Sequence, residues 1–262
     1  MNPIKNQDPD AFAHSSAYLA VRKIVRRHTP WLIKPWTAVK RLVWSLRYPT
    51  AESRFKQIHK SNYWANGESF SGEGSTLEAT RRVRVALVEF IQEHQVGSLL
   101  DVPCGDFNWM KEVKLGIPYI GGDIVDELVA RNQQIHATDK RRFQVINLTR
   151  TPLPKSDLIL SRDCLNHLSF QDIELAIENI CASGASYLAV SQFPAQTTNR
   201  NQESGFTYRE LNFCLAPFHW PPPLAQYDEQ FHPGKHLSFW RIAGLSRPKA
   251  KSAGAHLARR ET

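Results

Sequence analysis

Side chains suited to binding a nucleoside stand at the ends of three predicted strands. The segment LLDVPCGDFNWM runs from an apolar pair into Asp101 and turns at Gly105, where the backbone can come close to a ligand. Asp123 ends the next apolar run, 22 residues after Asp101, and a carboxylate at this spacing can bind both hydroxyls of a ribose. Asn147 and Leu148 end a third run, where an amide can accept from an exocyclic amine and a leucine can pack on a purine. The three strand ends therefore predict an adenosine site.

The elements that would position these residues alternate between strand and helix. Near-continuous apolar runs predict five strands, in VGSLLDV, IPYIGGDIV, RRFQVINL, SDLILSR and SYLAVSQF. Amphipathic stretches between them, DELVARNQQIHA and SFQDIELAIENICASG, predict helices. Another helix is expected from Thr76 to His94, because Ser75 and Glu78 have the spacing of a capping box. This order predicts a doubly wound parallel sheet, in which ligands bind beyond the carboxyl ends of the strands.

Strands and helices no longer alternate in the C-terminal third of the chain. Two possible strands, near Ala225 to Glu229 and His236 to Gly244, have no long helix between them, which predicts an antiparallel closing hairpin. The remaining segment, SRPKAKSAGAHLARRET, is basic and rich in small residues, and we expect it to be disordered.

Four motifs in a fixed order are similar to those of class I S-adenosylmethionine-dependent methyltransferases. They are LLDVPCGDFNWM, YIGGDIV, FQVINLTRTPLP and SDLILSRDCLNHLSF, and the preceding segment YWANGESFSGEGS is similar to the entry motif of one bacterial group. Within that superfamily the sequence resembles a bacterial group with DxPCGDxxWM and RDCLxHL motifs, over roughly residues 63–245. The resemblance implies an α/β, Rossmann-like methyltransferase fold with a seven-stranded, mostly parallel sheet and an antiparallel C-terminal hairpin. It also implies S-adenosyl-L-methionine as the cofactor, whereas the GxGxxG fingerprint of nicotinamide dehydrogenases is absent.

Residues that match the cofactor motifs of this family are expected to bind S-adenosylmethionine. The first motif departs from the common DxGxGxG pattern, because Pro103 and Phe107 replace the first and third glycines. By this correspondence the expected cofactor contacts are Asp101, Pro103, Gly105, Asp106, Asp123, Ile124, Asn147, Leu148 and Arg162. As a strand-end acid, Asp123 should contribute little to the core, so Asp123→Ala is expected to abolish cofactor binding and leave the fold intact.

Asp163 and His167, which follow the fourth strand, are the candidates for a general base. Methyl transfer to oxygen or nitrogen is an in-line displacement, and a base helps only where the acceptor carries a proton. A neutral imidazole at His167 could take a hydroxyl proton. Two alternatives stay open at this point. His167 could cap the following helix or pack below the site, and Asp163 could pair with Arg162 or hold the cofactor's ammonium group.

The expected methyl acceptor is a hydroxyl or amine of a sugar, glycan or other small metabolite. This expectation rests on the resemblance, since members of the similar group look like companions of surface-polysaccharide enzymes. The polar stretch QTTNRNQESGFTYREL after the fifth strand, together with an N-terminal helical lid, should form the acceptor pocket. The alternatives are an RNA methyltransferase and a non-catalytic binding module of the same fold.

The formal charge of +8 comes from one N-terminal segment. Residues 18–50 carry eight basic side chains and no acid, and the rest of the chain has equal numbers of both signs. Helical spacing occurs there twice, and Trp31, Trp36 and Trp44 are interleaved with the charge. Three interpretations stay open: a lid with a solvated basic face, a peripheral membrane contact, or an arm that binds nucleic acid.

Composition limits the protein class. A chain of 262 residues, 42% of them hydrophobic, suits one α/β domain with an appendage. Four scattered cysteines without a CxxC pair favour a reduced compartment, and His232 and His236 lack a third ligand, so no metal site is expected. No secretory signal or membrane span is evident, which favours a cytoplasmic location, with peripheral membrane contact as an alternative. The expected order is a polar tail (1–17), a basic helical segment (18–60), the methyltransferase domain (61–245) and a basic tail (246–262).

Overall fold

The computed structural model describes residues 43–245, and the chain divides into two units, Met1–Pro49 and Thr50–Thr262. Of the first unit only the end is described: residues 43–47 are helical, and the rings of Trp44 and Tyr48 lie 4.5 Å apart. The polar tail, most of the basic segment and the C-terminal tail lie outside the described residues. The three interpretations of the basic segment therefore stay predictions.

A seven-stranded sheet forms the centre of the second unit. Five strands are parallel, β1 (Leu99–Asp101), β2 (Tyr119–Asp123), β3 (Arg141–Val145), β4 (Leu158–Ser161) and β5 (Tyr187–Gln192). The last two, β6 (Ala225–Asp228) and β7 (His236–Arg241), pair antiparallel with each other, and β7 pairs antiparallel with β5. The strand order is β3-β2-β1-β4-β5-β7-β6. The predicted fold class, with its antiparallel C-terminal hairpin, is therefore confirmed.

Four helices accompany the sheet: α1 (Ala51–Lys60), α2 (Arg81–Glu93), α3 (Asp126–His136) and α4 (Phe170–Ala182). Neighbouring residues of β1 point to opposite faces, as pleated strands require. Leu99 joins a core cluster that contains α2, and Leu100 joins a second cluster that contains α4. Both faces of the sheet are thus covered by apolar side chains, which explains why its strands read as continuous apolar runs.

Helix α2 begins later than its sequence predicts. Residues 76–80 form turns, and the helix begins at Arg81 instead of Thr76, so the predicted capping box of Ser75 and Glu78 is wrong. The backbone N–H of Leu77 donates to the carboxylate of Glu68 at 2.7 Å, which holds this segment against the preceding loop and outside the helix. Helix α4, by contrast, lies within the predicted stretch SFQDIELAIENICASG and begins after Ser169, whose hydroxyl accepts from the N–H of Asp172.

The sheet order reverses its winding between β1 and β4, whose carboxyl ends lie side by side. In open α/β sheets this is the place where ligands bind. Helix α1 also lies in the compact unit that contains the sheet, although its sequence was assigned to the end of the basic segment.

Candidate functional site

A cleft of about 1250 Å³, including its open mouth, lies at the carboxyl edge of the parallel strands. Every residue that the sequence analysis selected lines this one cleft: Asp101, Pro103, Gly105, Asp106, Asp123, Ile124, Asn147, Leu148, Arg162, Asp163 and His167. The strand ends therefore bring the selected side chains together, as a parallel sheet dictates. Their roles in binding and catalysis remain to be argued from their contacts.

The loop of residues 65–75, here called the Gly/Ser loop, is held by the carboxylate of Asp106. One oxygen of Asp106 accepts from the backbone N–H of Phe70 at 2.8 Å, and the other accepts from the hydroxyl of Ser69 at 3.1 Å. A second tie joins Glu68 of this loop to the side-chain amide of Asn108 at 2.8 Å. The two motifs YWANGESFSGEGS and DVPCGDFNWM thus interlock through side chains of both.

Gly105 has a positive φ of 56°, and a Cβ placed on it would lie 2.2 Å from the hydroxyl oxygen of Ser71. The close approach that this glycine permits in the structure is therefore to the Gly/Ser loop. Ser71 also accepts from the backbone N–H of Asp106 at 3.2 Å, so a larger residue at position 105 would separate the two motifs.

Asp101, at the end of β1, is buried and faces the cleft. Its Oδ2 accepts from the hydroxyl of Tyr119 at 2.7 Å. Burial raises the pKa of Asp101 to about 7, and the hydrogen bond from Tyr119 and the positive charge of Arg162 act against this rise. A cationic ligand group beside this carboxyl would therefore favour its ionised form.

Asp123, at the end of β2, uses both carboxylate oxygens on the backbone. Oδ2 accepts from the N–H of Gly105 at 3.0 Å and Oδ1 accepts from the N–H of Val125 at 2.9 Å. Burial raises the pKa of Asp123, while these two hydrogen bonds and the imidazole of His59 lower it. The sequence analysis assumed that this residue contributes little to the core, whereas in the structure its carboxylate ties β2 to the turn after β1.

Asn147, after β3, has its side-chain oxygen engaged within its own turn. Oδ1 accepts from both the backbone N–H and the hydroxyl of Thr149, at 3.1 and 2.8 Å. Within residues 43–245 the amide nitrogen of Asn147 has no hydrogen-bond partner. The sequence analysis expected this amide to accept from an exocyclic amine, whereas the group it has available is a donor.

A four-membered ion-pair cluster lies at the end of β4. Arg162 donates through Nε and Nη2 to the two oxygens of Glu229, at 3.2 and 2.6 Å, and through Nη1 to the carbonyl oxygen of Gly74 at 2.8 Å. Lys235 lies 2.5 Å from Asp163 and 3.2 Å from Glu229. Two anions thus balance two cations. Glu229 and Lys235, from the β6–β7 hairpin, contact the two members of the cluster that line the cleft.

Asp163 is held in this cluster as an anion. Burial acts to raise its pKa, but the charges of Lys235 and Arg162 outweigh burial and hold the pKa below its usual value. Its other oxygen accepts from the hydroxyl of Tyr208 at 3.1 Å. Asp163 also has a φ of 52°, which is uncommon for a residue other than glycine. These contacts favour the alternative in which Asp163 pairs with Arg162.

His167 has a defined tautomer. Its Nδ1 lies 3.2 Å from the carbonyl oxygen of Thr207, and since a carbonyl can only accept, Nδ1 carries the proton and Nε2 the lone pair of the neutral ring. Burial lowers the pKa of His167 to about 4, and the charge of Asp163 acts in the opposite direction. The ring packs against Trp64, with centroids 4.6 Å apart, and against the edge of Tyr208.

Several residues of the cleft escaped the sequence analysis. Helix α1 contributes Ala51, Phe55 and His59, which are spaced by four and therefore share one face. Their periodicity in AESRFKQIHK was the available signal. Trp64 lay inside a quoted motif, but nothing in its spacing indicated contact with His167.

Thiol chemistry is disfavoured at this edge of the sheet. Cys104 lines the cleft, and burial raises the pKa of its thiol, so the nucleophilic thiolate is disfavoured. Within the described residues no group of three or more His, Cys, Asp or Glu side chains could hold a metal ion. None of the described helices is long and apolar enough to cross a membrane.

Comparisons with known proteins identify the fold. No protein-family model matches the sequence, and no curated protein sequence matches it significantly. A solved structure of 1,6-didemethyltoxoflavin-N1-methyltransferase from Burkholderia thailandensis, with bound 1,6-didemethyltoxoflavin and S-adenosylhomocysteine, is similar with a TM-score of 0.51 and 17% identity. The match covers 72% of this chain and 86% of that protein. The chain therefore has the Rossmann-like fold of class I methyltransferases.

Two further structures are similar at lower scores. One is the N-methyltransferase NodS from Bradyrhizobium japonicum WM9 with S-adenosyl-L-homocysteine, with a TM-score of 0.45, 14% identity, and coverage of 53% of this chain and 74% of that one. The other is human N-acetylserotonin methyltransferase with SAM, with a TM-score of 0.43, 14% identity and coverage of 72% of this chain. This chain spans 66% of the length of that human protein.

Proposed function

We propose that the protein is an S-adenosylmethionine-dependent methyltransferase that acts on a hydroxyl of a small molecule. The observation that carries the proposal is the composition of the cleft at the carboxyl edge of the parallel strands. One half has two buried carboxylates, Asp101 and Asp123, beside an apolar wall, and the other half has a neutral histidine with an acceptor nitrogen. The first half suits a cationic nucleoside, and the second suits a protonated acceptor.

The residues of the first half fit S-adenosylmethionine. In the part of the chain that the structure describes, neither Asp101 nor Asp123 forms a salt bridge, and a ligand with ammonium and sulfonium groups would favour the ionised form of both carboxyls. The side chains of Ile124, Leu128 and Leu148 offer apolar surface for a purine. Together with Pro103, Gly105, Asp106, Asn147 and Arg162 they are the residues that would hold the cofactor. Asp106 and Arg162 would do so by fixing the Gly/Ser loop, since their polar atoms are engaged within the protein.

The chemistry at the acceptor side follows from His167. When bound, S-adenosylmethionine supplies a methyl carbon on a positively charged sulfur, which leaves as a neutral thioether. Nε2 of His167 would take the proton of the acceptor hydroxyl, and the anionic Asp163 would stabilise the imidazolium so formed. Because its pKa is lowered to about 4, the ring is neutral and able to accept throughout the physiological range.

One aromatic side chain lines the acceptor side, and two others are adjacent in the chain to residues that contact His167. Trp64 packs on His167, and nearby the exposed rings of Tyr63 and Phe206 have centroids 5.8 Å apart. Phe206 lies between Gly205, whose N–H donates to the carbonyl of His167, and Thr207, which accepts from its ring. Flat aromatic faces of this kind suit a ring-shaped acceptor, and a sugar or a glycan unit is the class we propose.

Calorimetric titration with S-adenosylmethionine and S-adenosylhomocysteine, with NAD as the control ligand, tests the cofactor. We expect micromolar binding of the first two and none of NAD. Transfer of a labelled methyl group to a panel of glycans, with amines as the comparison set, then tests the acceptor. Absence of binding would refute the proposed function, and transfer to amines alone would refute the hydroxyl.

A further inference from the structure

Helix α1 covers the half of the cleft that contains Asp123. The side chains of Ala51, Phe55 and His59 line the cleft from one face of this helix. Of these three, only His59 can form hydrogen bonds through its side chain. The helix is capped at its start by Thr50, whose hydroxyl accepts from the N–H of Ser53, and this cap fixes the residue at which the helix begins.

The imidazole of His59 has capacity for a ligand. It is mostly buried, with 19% of its side chain exposed, and its Nε2 lies 4.0 Å from the carboxylate of Glu127, beyond hydrogen-bond distance. The edge of its ring faces Phe70, with centroids 6.1 Å apart, and Phe70 in turn lies under the guanidinium of Arg131. The ring is therefore positioned by packing, and within the described part of the chain neither of its nitrogens forms a hydrogen bond.

His59 and Asp123 lie near each other in the cleft. Both line the cleft, and the imidazole is close enough to Asp123 to influence the ionisation of its carboxyl. Each oxygen of Asp123 already accepts one backbone N–H, so this carboxylate has limited capacity left for two ribose hydroxyls. A second polar group that lines this part of the cleft could bind the hydroxyl that Asp123 leaves without an acceptor.

We infer that His59 of α1 binds a ribose hydroxyl of S-adenosylmethionine opposite Asp123, so that α1 is part of the cofactor site. The inference rests on the proposed function, because it presumes that this cofactor occupies the cleft. It assigns a cofactor contact to helix α1, and none of the four sequence motifs includes residues of this helix.

Titration calorimetry of the full-length protein with S-adenosylhomocysteine tests this contact without any acceptor. His59→Ala should weaken binding about five- to tenfold, the value expected for one hydrogen bond, and His59→Gln should recover part of the loss. Glu127→Gln is the matched control, because it removes the neighbouring charge and leaves the imidazole in place. We expect Glu127→Gln to bind like the parent.

A second ligand separates a ribose contact from a structural effect. The analogue of S-adenosylhomocysteine without ribose hydroxyls should bind parent and His59→Ala with equal affinity. Equal losses for both ligands would overturn the inference, as would unchanged affinity of His59→Ala for S-adenosylhomocysteine. If the parent protein itself binds neither S-adenosylmethionine nor S-adenosylhomocysteine, the proposed function falls and the inference falls with it.

Discussion

The Nδ1 atom of His167 lies 3.2 Å from the carbonyl oxygen of Thr207, and this contact determines which ring nitrogen can act as a base. Thr207 belongs to the polar stretch after β5 that the sequence analysis assigned to the acceptor pocket. The stretch contacts the proposed site through two residues: Thr207 accepts from the imidazole, and Tyr208 donates to Asp163. It orients the proposed base, and Trp64 packs against the same ring.

Replacing His167 tests its role as the general base. We expect His167→Gln to lower kcat about 10²- to 10⁴-fold, since a positioned base contributes that much to proton transfer. Affinity for S-adenosylhomocysteine should stay unchanged, because the proposed cofactor contacts lie elsewhere in the cleft. Steady-state kinetics with the acceptor from the glycan panel, beside calorimetry, provides both measurements.

The pH profile of the parent provides the control for this variant. With the pKa of His167 lowered to about 4, turnover should be flat above about pH 5 and fall only below it. An acidic limb centred near pH 6.5 that persists in Asp101→Asn, or unchanged turnover in His167→Gln, would exclude this histidine as the base.

Asp123 is expected to matter for folding as well as for binding. Asp123→Ala leaves the N–H groups of Gly105 and Val125 without their acceptor, and each unsatisfied buried donor costs about 1–3 kcal/mol. Urea denaturation should therefore show a loss of about 2 kcal/mol or more in the free energy of unfolding, together with loss of S-adenosylhomocysteine binding. Asp139→Ala, on the exposed turn before β3, is the control that should change neither quantity. A fully stable Asp123→Ala variant would contradict this reading of its hydrogen bonds.

The strand-end residues could be predicted from the sequence, for a physical reason. Apolar runs identify parallel strands buried on both faces, and the carboxyl ends of such strands must lie at one edge. Asp101, Asp123 and Asn147 therefore share a cleft although long segments separate them in the chain. The start of α2 could not be predicted in the same way. A hydrogen bond from Leu77 to Glu68 holds the preceding segment outside the helix, and hydrophobic periodicity does not reveal such a bond.

Side chains that reach the cleft from other elements could not be predicted. Glu229 and Lys235 lie on either side of the β6–β7 turn, and they meet Arg162 and Asp163 only because β7 pairs with β5 in the sheet. Nothing in DEQFHPGKH marks these two residues as partners of RDCLNHL. The pattern of α1 was visible, but assigning the helix to the basic segment hid its connection to the cofactor half of the cleft.

Stability should depend on the ionisation of Asp101. The pKa of this carboxyl is raised from 3.8 to about 7 in the folded protein, first by burial. Between about pH 4 and 7 the folded state therefore holds a proton that the unfolded chain has lost, so this group's contribution to stability is greatest below pH 4 and falls as the pH rises to 7. Relative to Asp101→Asn, the parent should lose about 2–3 kcal/mol of unfolding free energy between pH 5 and pH 8.

The comparison with Asp101→Asn is needed because His167 produces the opposite slope. Its pKa is lowered from 6.5 to about 4, so the unfolded chain binds the extra proton in that window and stability rises with pH. Since both proteins keep His167, the difference between their urea midpoints at each pH isolates Asp101. A difference that stays constant from pH 5 to pH 8 would show that Asp101 ionises normally.

The ion-pair cluster should break when one of its members is neutralised. Glu229 is fully buried between Arg162 and Lys235, and Glu229→Gln leaves two buried cations with only Asp163 to balance them. Removing one partner of a buried ion pair typically costs 3–5 kcal/mol, and we expect a loss of about this size in urea denaturation. Glu178→Gln, at an exposed position of α4, makes the same chemical change and should have almost no effect. The double variant Glu229→Gln/Lys235→Met restores the charge balance and should recover part of the loss. A double variant no more stable than Glu229→Gln would mean that lost packing, and not the uncompensated charge, causes the instability.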